Sequence, residues 1–383
     1  MTTGPLHGLK VLELAGLGAA PFAAMMLADM GAEVVRIDRR AEVSAGDKSG
    51  PLWDLLNRGR RSVGVDLKHP KGVELVLRLT ERVDVLIEGF RPGVMERLGL
   101  GPDAVAALNP RLIYGRMTGF GQSGPLAHAA GHDIDYIALA GALEPLGRAG
   151  DKPVPPLNLV ADFGGGGMLL VCGVLAALFE RGISGRGQVI DAAMVDGAAL
   201  LTTMLHSLRQ IGLWPGERGD NLLDSGAPFY EVYETADHKF IALGALEAAF
   251  YRKLLELLQL SEDVRFAAQL ERASWPAMRA VLTQRFAERT RAEWQALLEG
   301  EDACFAPVLS PWEAADHPHN QARQTFVTLD GKLQPAPAPR FSRTASSVQS
   351  PPPMPGAHTD PVLRAYGFTT DELHSLRAEG AIA

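Results

Sequence analysis

A histidine and two carboxylates stand where apolar segments of the chain turn into predicted helices. His132 opens a short polar run, Asp162 precedes four consecutive glycines at 164–167, and Glu247 follows a predicted strand. Histidine gains and loses a proton near neutral pH without help. A carboxyl group in apolar surroundings has its pKa raised towards the same range. These residue types therefore favour proton transfer, in which one group removes a proton and another returns it.

Each of the three residues also has a structural explanation. His132 can cap a helix or pack against one, and Asp162 stands where an N-cap is expected, a position that Asp prefers. Glu247 can complement the dipole of a helix from its first turn. The glycines can serve close helix packing alone. The residue types by themselves leave the catalytic and the structural interpretation open.

The first 120 residues alternate short β-branched runs with amphipathic stretches. This order predicts a mostly parallel sheet covered by helices on both faces. The predicted strands are 9–14, 33–37, 62–67, 83–88, 112–117 and 188–195. The predicted helices of this part are 20–30, 70–82, 93–108, 131–146 and 163–181. The sequence thus predicts an α/β fold with a Rossmann-like, parallel-sheet large domain.

The alternating strand–helix pattern of the sequence ends at about residue 229. A hairpin is predicted over 229–243, and helical segments follow to about residue 298. After about residue 323 the chain is rich in proline, which is typical of an extended strap, and a short helix is predicted at 371–378. We expect a large domain over 1–200, a smaller α+β domain over 225–321, and a C-terminal strap and helix over 322–383 that return to the large domain.

The charge is acidic overall but unevenly spread. A net charge of −8 disfavours non-specific nucleic-acid binding. An early segment is nevertheless crowded with basic residues: Arg36, Arg39, Arg40, Lys48, Arg58, Arg60, Arg61 and Lys68. Guanidinium groups match phosphate well, so this cluster indicates a local site for a phosphorylated ligand.

The remaining composition predicts a cytoplasmic enzyme. Two cysteines, Cys172 and Cys304, fit a reducing compartment better than a disulfide-stabilised exterior. The N-terminal residues lack the apolar core of a signal peptide. The longest apolar run, 168–179, is shorter than the ~20 residues needed to span a bilayer. No His/Cys cluster with metal-ligand spacing is present, since His317 and His319 stand as a pair without further ligands nearby.

The loop after the first predicted strand nearly mimics a dinucleotide-binding fingerprint. Gly16 and Gly18 match its first two glycines, but Pro21 stands in place of the third. The acid expected to bind the ribose, Asp38, is flanked by arginines. Proline is common in the first turn of a helix. The segment therefore predicts a strand–turn–helix unit rather than an NAD site.

Longer sequence blocks are spread along nearly the whole chain. They include VLELA (11–15), FRPGV (90–94), AGHDIDY (130–136), PPLNLVADFGGGG (155–167), GQVIDAAMVDG (187–197) and HPHNQAR (317–323). These blocks resemble the family III CoA-transferases and their racemase branch. Several are six residues or longer, which makes chance similarity a poor explanation.

The resemblance implies a role for each matching residue. The catalytic histidine and aspartate fall on His132 and Asp162, and the glutamate that pairs with the histidine falls on Glu247. The implied CoA contacts are Arg39, Val65, Asp66, Leu67, Lys68, Arg91, Gly131, His132, Asp133, Ile134, Asp135 and Tyr136. The family fold also implies an interlocked homodimer, whose active site lies between the large domain of one chain and the small domain of the other.

The racemase branch implies interconversion of (2R)- and (2S)-2-methylacyl-CoA thioesters by proton transfer through an enolate. CoA is then part of the acyl-CoA substrate, and no cofactor or metal is expected. Inversion needs a proton carrier on each face of the carbon, which His132 and Asp162 supply. A carboxylate such as Glu247 beside His132 favours the charged ring.

Two alternatives remain at this point. A CoA-transferase of the same family uses the aspartate equivalent to Asp162 as a covalent nucleophile. A protein that binds CoA without catalysis is the second. The presence of His132 with Glu247 favours the racemase, because covalent CoA exchange needs no second proton carrier.

Overall fold

The computed structural model describes residues 4–44 and 54–383 and divides the chain into two compact units. Unit 1 combines the described residues within 1–140, 157–201 and 324–383. Unit 2 combines residues 141–156 and 202–323. Lys48 of the predicted basic cluster lies outside the described residues.

Unit 1 is built on a six-stranded parallel sheet, as the alternating pattern predicted. Its strands are β1 (Lys10–Leu14), β2 (Glu33–Arg39), β3 (Arg60–Val65), β4 (Val85–Glu88), β5 (Ile113–Thr118) and β6 (Val189–Ala193). They are ordered β3-β2-β1-β4-β5-β6, and every neighbouring pair is parallel. The strand order reverses between β1 and β4, which is where α/β sheets of this kind open a crevice for ligands.

Within the described residues, eight α-helices connect or follow these strands. They are α1 (Ala19–Asp29), α2 (Arg40–Ser44), α3 (Pro70–Thr80), α4 (Val94–Arg97), α5 (Pro102–Leu108), α6 (Asp133–Leu139), α7 (Leu169–Ser184) and α8 (Met194–Leu201). The single helix predicted over 93–108 is two helices, α4 and α5. Gly99 has φ +76° and ends the first, and Pro102 begins the second.

Unit 2 is a smaller α+β body. Its elements are α9 (Thr203–Gln210), β7 (Tyr230–Glu234), β8 (Phe240–Gly244), α10 (Ala248–Leu257), α11 (Trp275–Phe286), α12 (Arg291–Leu298), β9 (Phe305–Pro307) and α13 (Pro318–Arg323). Strands β7 and β8 form the predicted hairpin, and β9 completes an antiparallel sheet of order β7-β8-β9. Phe229, Trp275 and Trp294 anchor its own apolar core.

The C-terminal residues 324–383 belong to unit 1. The proline-rich stretch holds a short antiparallel hairpin, β10 (Phe326–Leu329) with β11 (Lys332–Pro335). Two helices follow, α14 (Thr359–Ala365) and α15 (Thr370–Ala378). They place Leu363 and Leu373 in a core of unit 1 that also contains Leu12 and Leu86 of the sheet.

The parallel sheet of unit 1 separates two apolar cores. Successive strand residues point to opposite faces, so Leu12 and Leu86 lie in the core beneath α3, α5, α14 and α15. Their neighbours Val11 and Val85 lie in the other core, with α1 and α7. Because both faces are buried, the central strands read as continuous apolar runs rather than as alternating ones.

The segment that carries Asp162 begins earlier than the sequence predicted. A π-helix runs over Leu159–Met168 and continues without a break into α7, with Asn158 at its N-cap. Asp162 is therefore the fourth residue of a helix and not its N-cap, which corrects the prediction. The combined helix, Leu159–Ser184, is the one described stretch long and apolar enough to cross a membrane, a test that core helices of soluble proteins also pass.

The helix that follows His132 is shorter than predicted. It ends at Leu139 rather than near 146, and Gly141 beyond it has φ +76°. Residues 141–156 then belong to unit 2, where Arg148 and Arg279 both bind the buried carboxylate of Glu231. These ion pairs join residues far apart in the chain, so the local sequence pattern did not reveal them.

Candidate active site

A cavity of about 850 Å³ lies in unit 1 at the carboxyl ends of β1, β2, β4 and β5. Its wall includes Ala15 after β1, Arg39 at the end of β2, Arg91 after β4 and Thr118 at the end of β5. The position coincides with the reversal of strand order between β1 and β4. It is thus the crevice in which sheets of this topology bind ligands.

Asp162 lines this cavity and is half-buried. Burial raises the pKa of its carboxyl group, and the negative charge of Asp133 raises it further. The amide of Asn158, 3.2 Å away, donates a hydrogen bond to Oδ2 and opposes this shift, as does His132. The carboxyl group is therefore shifted towards the range in which it can both accept and donate a proton.

Glycine is required where the helix of Asp162 packs. A Cβ at Gly197 of α8 would stand 1.8 Å from the carbonyl oxygen of Gly165, which is impossible without moving one backbone. Gly18, at the start of α1, has φ +67° and lies so close that its Cβ would be 3.1 Å from Oδ2 of Asp162. These close approaches hold the π-helix between α1 and α8 and present Asp162 to the cavity.

His132 lines the same cavity as Asp162. It is the N-cap of α6, and its backbone N–H donates to the carboxylate of Asp135 at 2.9 Å. The residue is exposed, and its charge acts on the carboxyl group of Asp162. The two predicted proton carriers therefore face one cavity, although 30 residues and an excursion into unit 2 separate them in sequence.

Tyr136 forms a rigid part of the wall. Its hydroxyl donates to the carbonyl oxygen of Gly131, and its ring meets Phe120 edge to face with centroids 5.0 Å apart. A Cβ at Gly119 would collide with this ring at 2.1 Å. Burial raises the pKa of the hydroxyl, which keeps Tyr136 neutral. We therefore assign it packing within the wall rather than proton transfer.

The cavity collects part of the predicted CoA-binding set. Arg39, Arg91, Gly131, His132, Asp135 and Tyr136 all line it. Arg39 and Arg91 are exposed, so their guanidinium groups are available to phosphate. Among the buried acids missed from sequence, Glu88 accepts the N–H of Phe90 at 2.7 Å and an Arg116 hydrogen bond at 2.8 Å, and so anchors the loop that carries Arg91.

Six other members of that set lie outside the lining of the cavity. They are Val65, Asp66, Leu67, Lys68, Asp133 and Ile134. Val65 pairs with Arg39 in the sheet, but it also bridges to Ile382. The backbone N–H of Asp66 donates to the carbonyl oxygen of Ala381. The C-terminal residues thus occupy backbone groups of Val65 and Asp66, whereas Lys68 is exposed.

Glu247 stands in unit 2, in the short connection after β8, at the N-cap of α10. Its side chain makes no hydrogen bond to the helix, and the residue is exposed. Burial raises the pKa of the Cys304 thiol, and the Glu247 charge raises it further, so the two groups are neighbours. Glu247 thus stands at the N-cap rather than in the first turn, where its charge still complements the helix dipole, and its exposed carboxylate is accessible to another group.

Sequence reasoning missed two polar residues that act on Asp162. Asn158 stands four residues before it, the spacing of neighbours on a helix, and that spacing was the only available signal. Asp133 was predicted as a CoA contact, whereas its carboxylate accepts the backbone N–H groups of Ala161 and Asp162. No local pattern signals this contact, because 28 residues separate its partners.

Comparison with known proteins places these features in a family. The model for CoA-transferase family III matches residues 6–359. The alpha-methylacyl-CoA racemase of Mus musculus is 48% identical over 98% of this chain and 96% of its own length. The succinyl-CoA:glutarate CoA-transferase of the same organism is 30% identical over 94% of this chain and 86% of its own. The crystal structure of a CAIB/BAIF family protein from Brucella suis covers 95% of this chain and 100% of its own, with 28% identity and a TM-score of 0.82.

Proposed function

The chain belongs to CoA-transferase family III, and we propose that within it the protein is an isomerase that interconverts (2R)- and (2S)-2-methylacyl-CoA thioesters. One observation carries the proposal: His132 and Asp162 face the same cavity at the switch point of the sheet. The higher identity to a racemase than to a transferase supports it.

The reaction needs two proton carriers because the α-carbon loses its proton on one face and regains it on the other. In one direction His132 removes the proton and Asp162 returns one; in the reverse direction the roles exchange. The raised pKa of Asp162 suits it to both roles. Helices α1 and α6 begin at the cavity wall, so their first N–H groups supply partial positive charge for the enolate oxygen.

CoA transfer through a covalent intermediate is the second candidate. Asp162 is half-exposed in the cavity, so it is accessible as a nucleophile. Transfer of this kind has no use for His132 as a second proton carrier, and it requires a second carboxylic acid as acceptor. The two reactions therefore differ in what they do to the α-hydrogen.

Deuterium exchange separates the two candidates. A single enantiomer of a 2-methylacyl-CoA incubated with the enzyme in D₂O should take up deuterium at the α-carbon and lose optical purity with no acceptor acid present. A parallel reaction with added succinate should form no succinyl-CoA. Retention of hydrogen and configuration, together with succinyl-CoA formation, would establish the transferase instead.

We further propose that the working enzyme is an interlocked homodimer in which Glu247 of one chain approaches His132 of the other. Large apolar side chains are exposed on consecutive elements of unit 1, including Phe179 (75%) and Ile183 (77%) of α7 and Leu200 (60%) of α8. Exposed apolar surface of this kind marks an interface. The carboxylate of Glu247 is exposed and makes no hydrogen bond to its helix, which supports a second copy of the chain as its partner.

Complementation between two inactive variants tests this arrangement. Asp162→Ala and Glu247→Ala chains carrying different tags are coexpressed, and the doubly tagged species is purified. In a shared-site dimer, one of the two sites of the mixed species combines two intact halves. We therefore expect the doubly tagged dimer to have about half of the wild-type activity, although each variant homodimer is inactive. A doubly tagged species without activity would place the site within one chain. Failure to recover that species would contradict the proposed dimer. So would a monomeric chain that binds lipid vesicles through this exposed apolar surface.

Cytoplasmic location stays a prediction. Both cysteines are unpaired and exposed in the described part of the chain, and they lie in different units.

A further inference from the structure

Asp133 is a buried acid whose carboxylate serves the backbone of a distant helix. The residue is 4% exposed, and its Oδ2 accepts the N–H groups of both Ala161 and Asp162 at 2.7 Å. Its Oδ1 is buried and has no hydrogen-bond partner among the described residues. A buried carboxylate with one unsatisfied oxygen is costly to maintain. Its presence therefore calls for an explanation beyond solubility or surface charge.

The position of Asp133 in the chain supplies one. It is the first residue of α6 and directly follows His132, the N-cap of that helix. Its side chain meanwhile holds the first turn of the π-helix that carries Asp162. One residue thus fixes the starts of the two helical segments that present the two proton carriers, so the separation of these carriers depends on it.

The charge of Asp133 also reaches Asp162. The groups that act on the Asp162 carboxyl are the Asn158 amide beside it and, at α6, His132, Asp133 and Tyr136. Gly18, which also approaches this carboxyl from the N-cap of α1, carries no charge. Among these neighbours, Asp133 is the one carboxylate, and it favours the protonated form of Asp162. Neutralising Asp133 is therefore expected to lower the pKa of Asp162.

We propose that Asp133 is a positioning residue for the racemisation: its carboxylate, which never touches the substrate, sets the placement of Asp162 relative to His132. This inference rests on the proposed function. It differs from the CoA contact first predicted for Asp133, because the carboxylate is turned away from the cavity lining and is bonded to backbone.

Asp133→Ala removes the anchor and leaves two N–H groups of the π-helix unpaired. We expect kcat to fall about 100-fold in both directions, since a misplacement of about 1 Å has that effect on catalysis. The KM for acyl-CoA should change much less, because the lost contact is not made to the ligand. Amide hydrogen exchange should show that residues 161 and 162 lose protection. Wild-type kcat in this variant would overturn the proposal.

Asp133→Asn separates position from charge. The carboxamide oxygen still accepts both N–H groups, so kcat should recover to within about tenfold of wild type. The lost charge lowers the Asp162 pKa. In the direction in which Asp162 is the base, the acid limb of the kcat/KM profile should therefore move to lower pH, and in the direction in which Asp162 is the acid, the basic limb should move to lower pH. Limbs at the wild-type pH in both directions would contradict an electrostatic effect of Asp133 on Asp162. This variant also keeps the test decisive if Asp133→Ala fails to fold.

Asp103→Asn provides the matched control. Asp103 is likewise in the first turn of a helix, α5, but it is exposed and outside the cavity lining. It should behave as wild type in rate, pH profile and exchange. The wild-type enzyme separates failure of the proposed function from failure of the role of Asp133. If the wild type does not exchange the α-proton, the proposed function is wrong. If it does, but the exchange is insensitive to substitution of Asp133, only the positioning role of Asp133 is contradicted.

Discussion

Asp162→Asn is expected to reduce racemisation by about 10³-fold or more while leaving α-proton exchange for one enantiomer. Asparagine keeps the size of the side chain and cannot carry the proton, and a positioned acid–base group contributes about 10²–10⁴-fold. His132 still reaches its own face of the α-carbon in this variant. One enantiomer should therefore take up deuterium from D₂O with retention of configuration, and the other should remain unlabelled.

The measurement combines chiral analysis of the acyl group with mass spectrometry after incubation of each pure enantiomer. Asp103→Asn, an exposed acid replaced in the same way, should racemise at the wild-type rate. The prediction would be contradicted by an Asp162→Asn enzyme that equilibrates the two enantiomers at more than a few per cent of the wild-type rate. Loss of deuterium uptake with both enantiomers would show that Asp162 acts on more than one proton-transfer step.

His132→Ala should produce the mirror image of that result. Racemisation should again fall by about 10³-fold, since the second carrier is lost, but labelling should survive only for the enantiomer that Asp162 deprotonates. Truncation leaves room in the cavity wall for a small base, because His132 is exposed and lines the cavity. Added imidazole should therefore restore part of the activity in a concentration-dependent way.

His128→Ala is the control for this variant. It removes an exposed histidine four residues upstream that is absent from the cavity lining. It should retain full activity and gain nothing from imidazole. If His132→Ala and Asp162→Asn labelled the same enantiomer, the two residues would not act on opposite faces, and the two-carrier mechanism would be wrong.

The parallel sheet of unit 1 could be predicted from sequence because its signal is local. A strand such as β1 is a short apolar run followed by a turn and a helix, and repetition of that unit dictates a parallel, doubly covered sheet. The predicted strand limits differ from the observed ones by a few residues, since strand ends depend on pairing rather than on residue type. The β7–β8 hairpin was equally local, with its turn at 235–239 between two alternating runs.

The helix of Asp162 illustrates what local patterns miss. Four glycines and an aspartate suggested a helix that begins at 163. It begins at Leu159, because the carboxylate of Asp133 binds N–H groups in its first turn and Gly197 admits its backbone. Both partners are distant in sequence, and neither contact leaves a periodic signal. The excursion of 141–156 into unit 2 was hidden for the same reason.

The sequence by itself determined the fold class and the types of functional group at the site. Apolar periodicity and the identities of His132, Asp162 and Glu247 are local properties that can be read from the sequence without the fold. Only the tertiary structure decided that His132 and Asp162 face one cavity, that the pKa of Asp162 is raised, and that Asp133 joins their two helices. Distance and burial depend on chain segments that meet only after folding. The contact of Asp133 with the helix of Asp162 therefore became visible only in three dimensions.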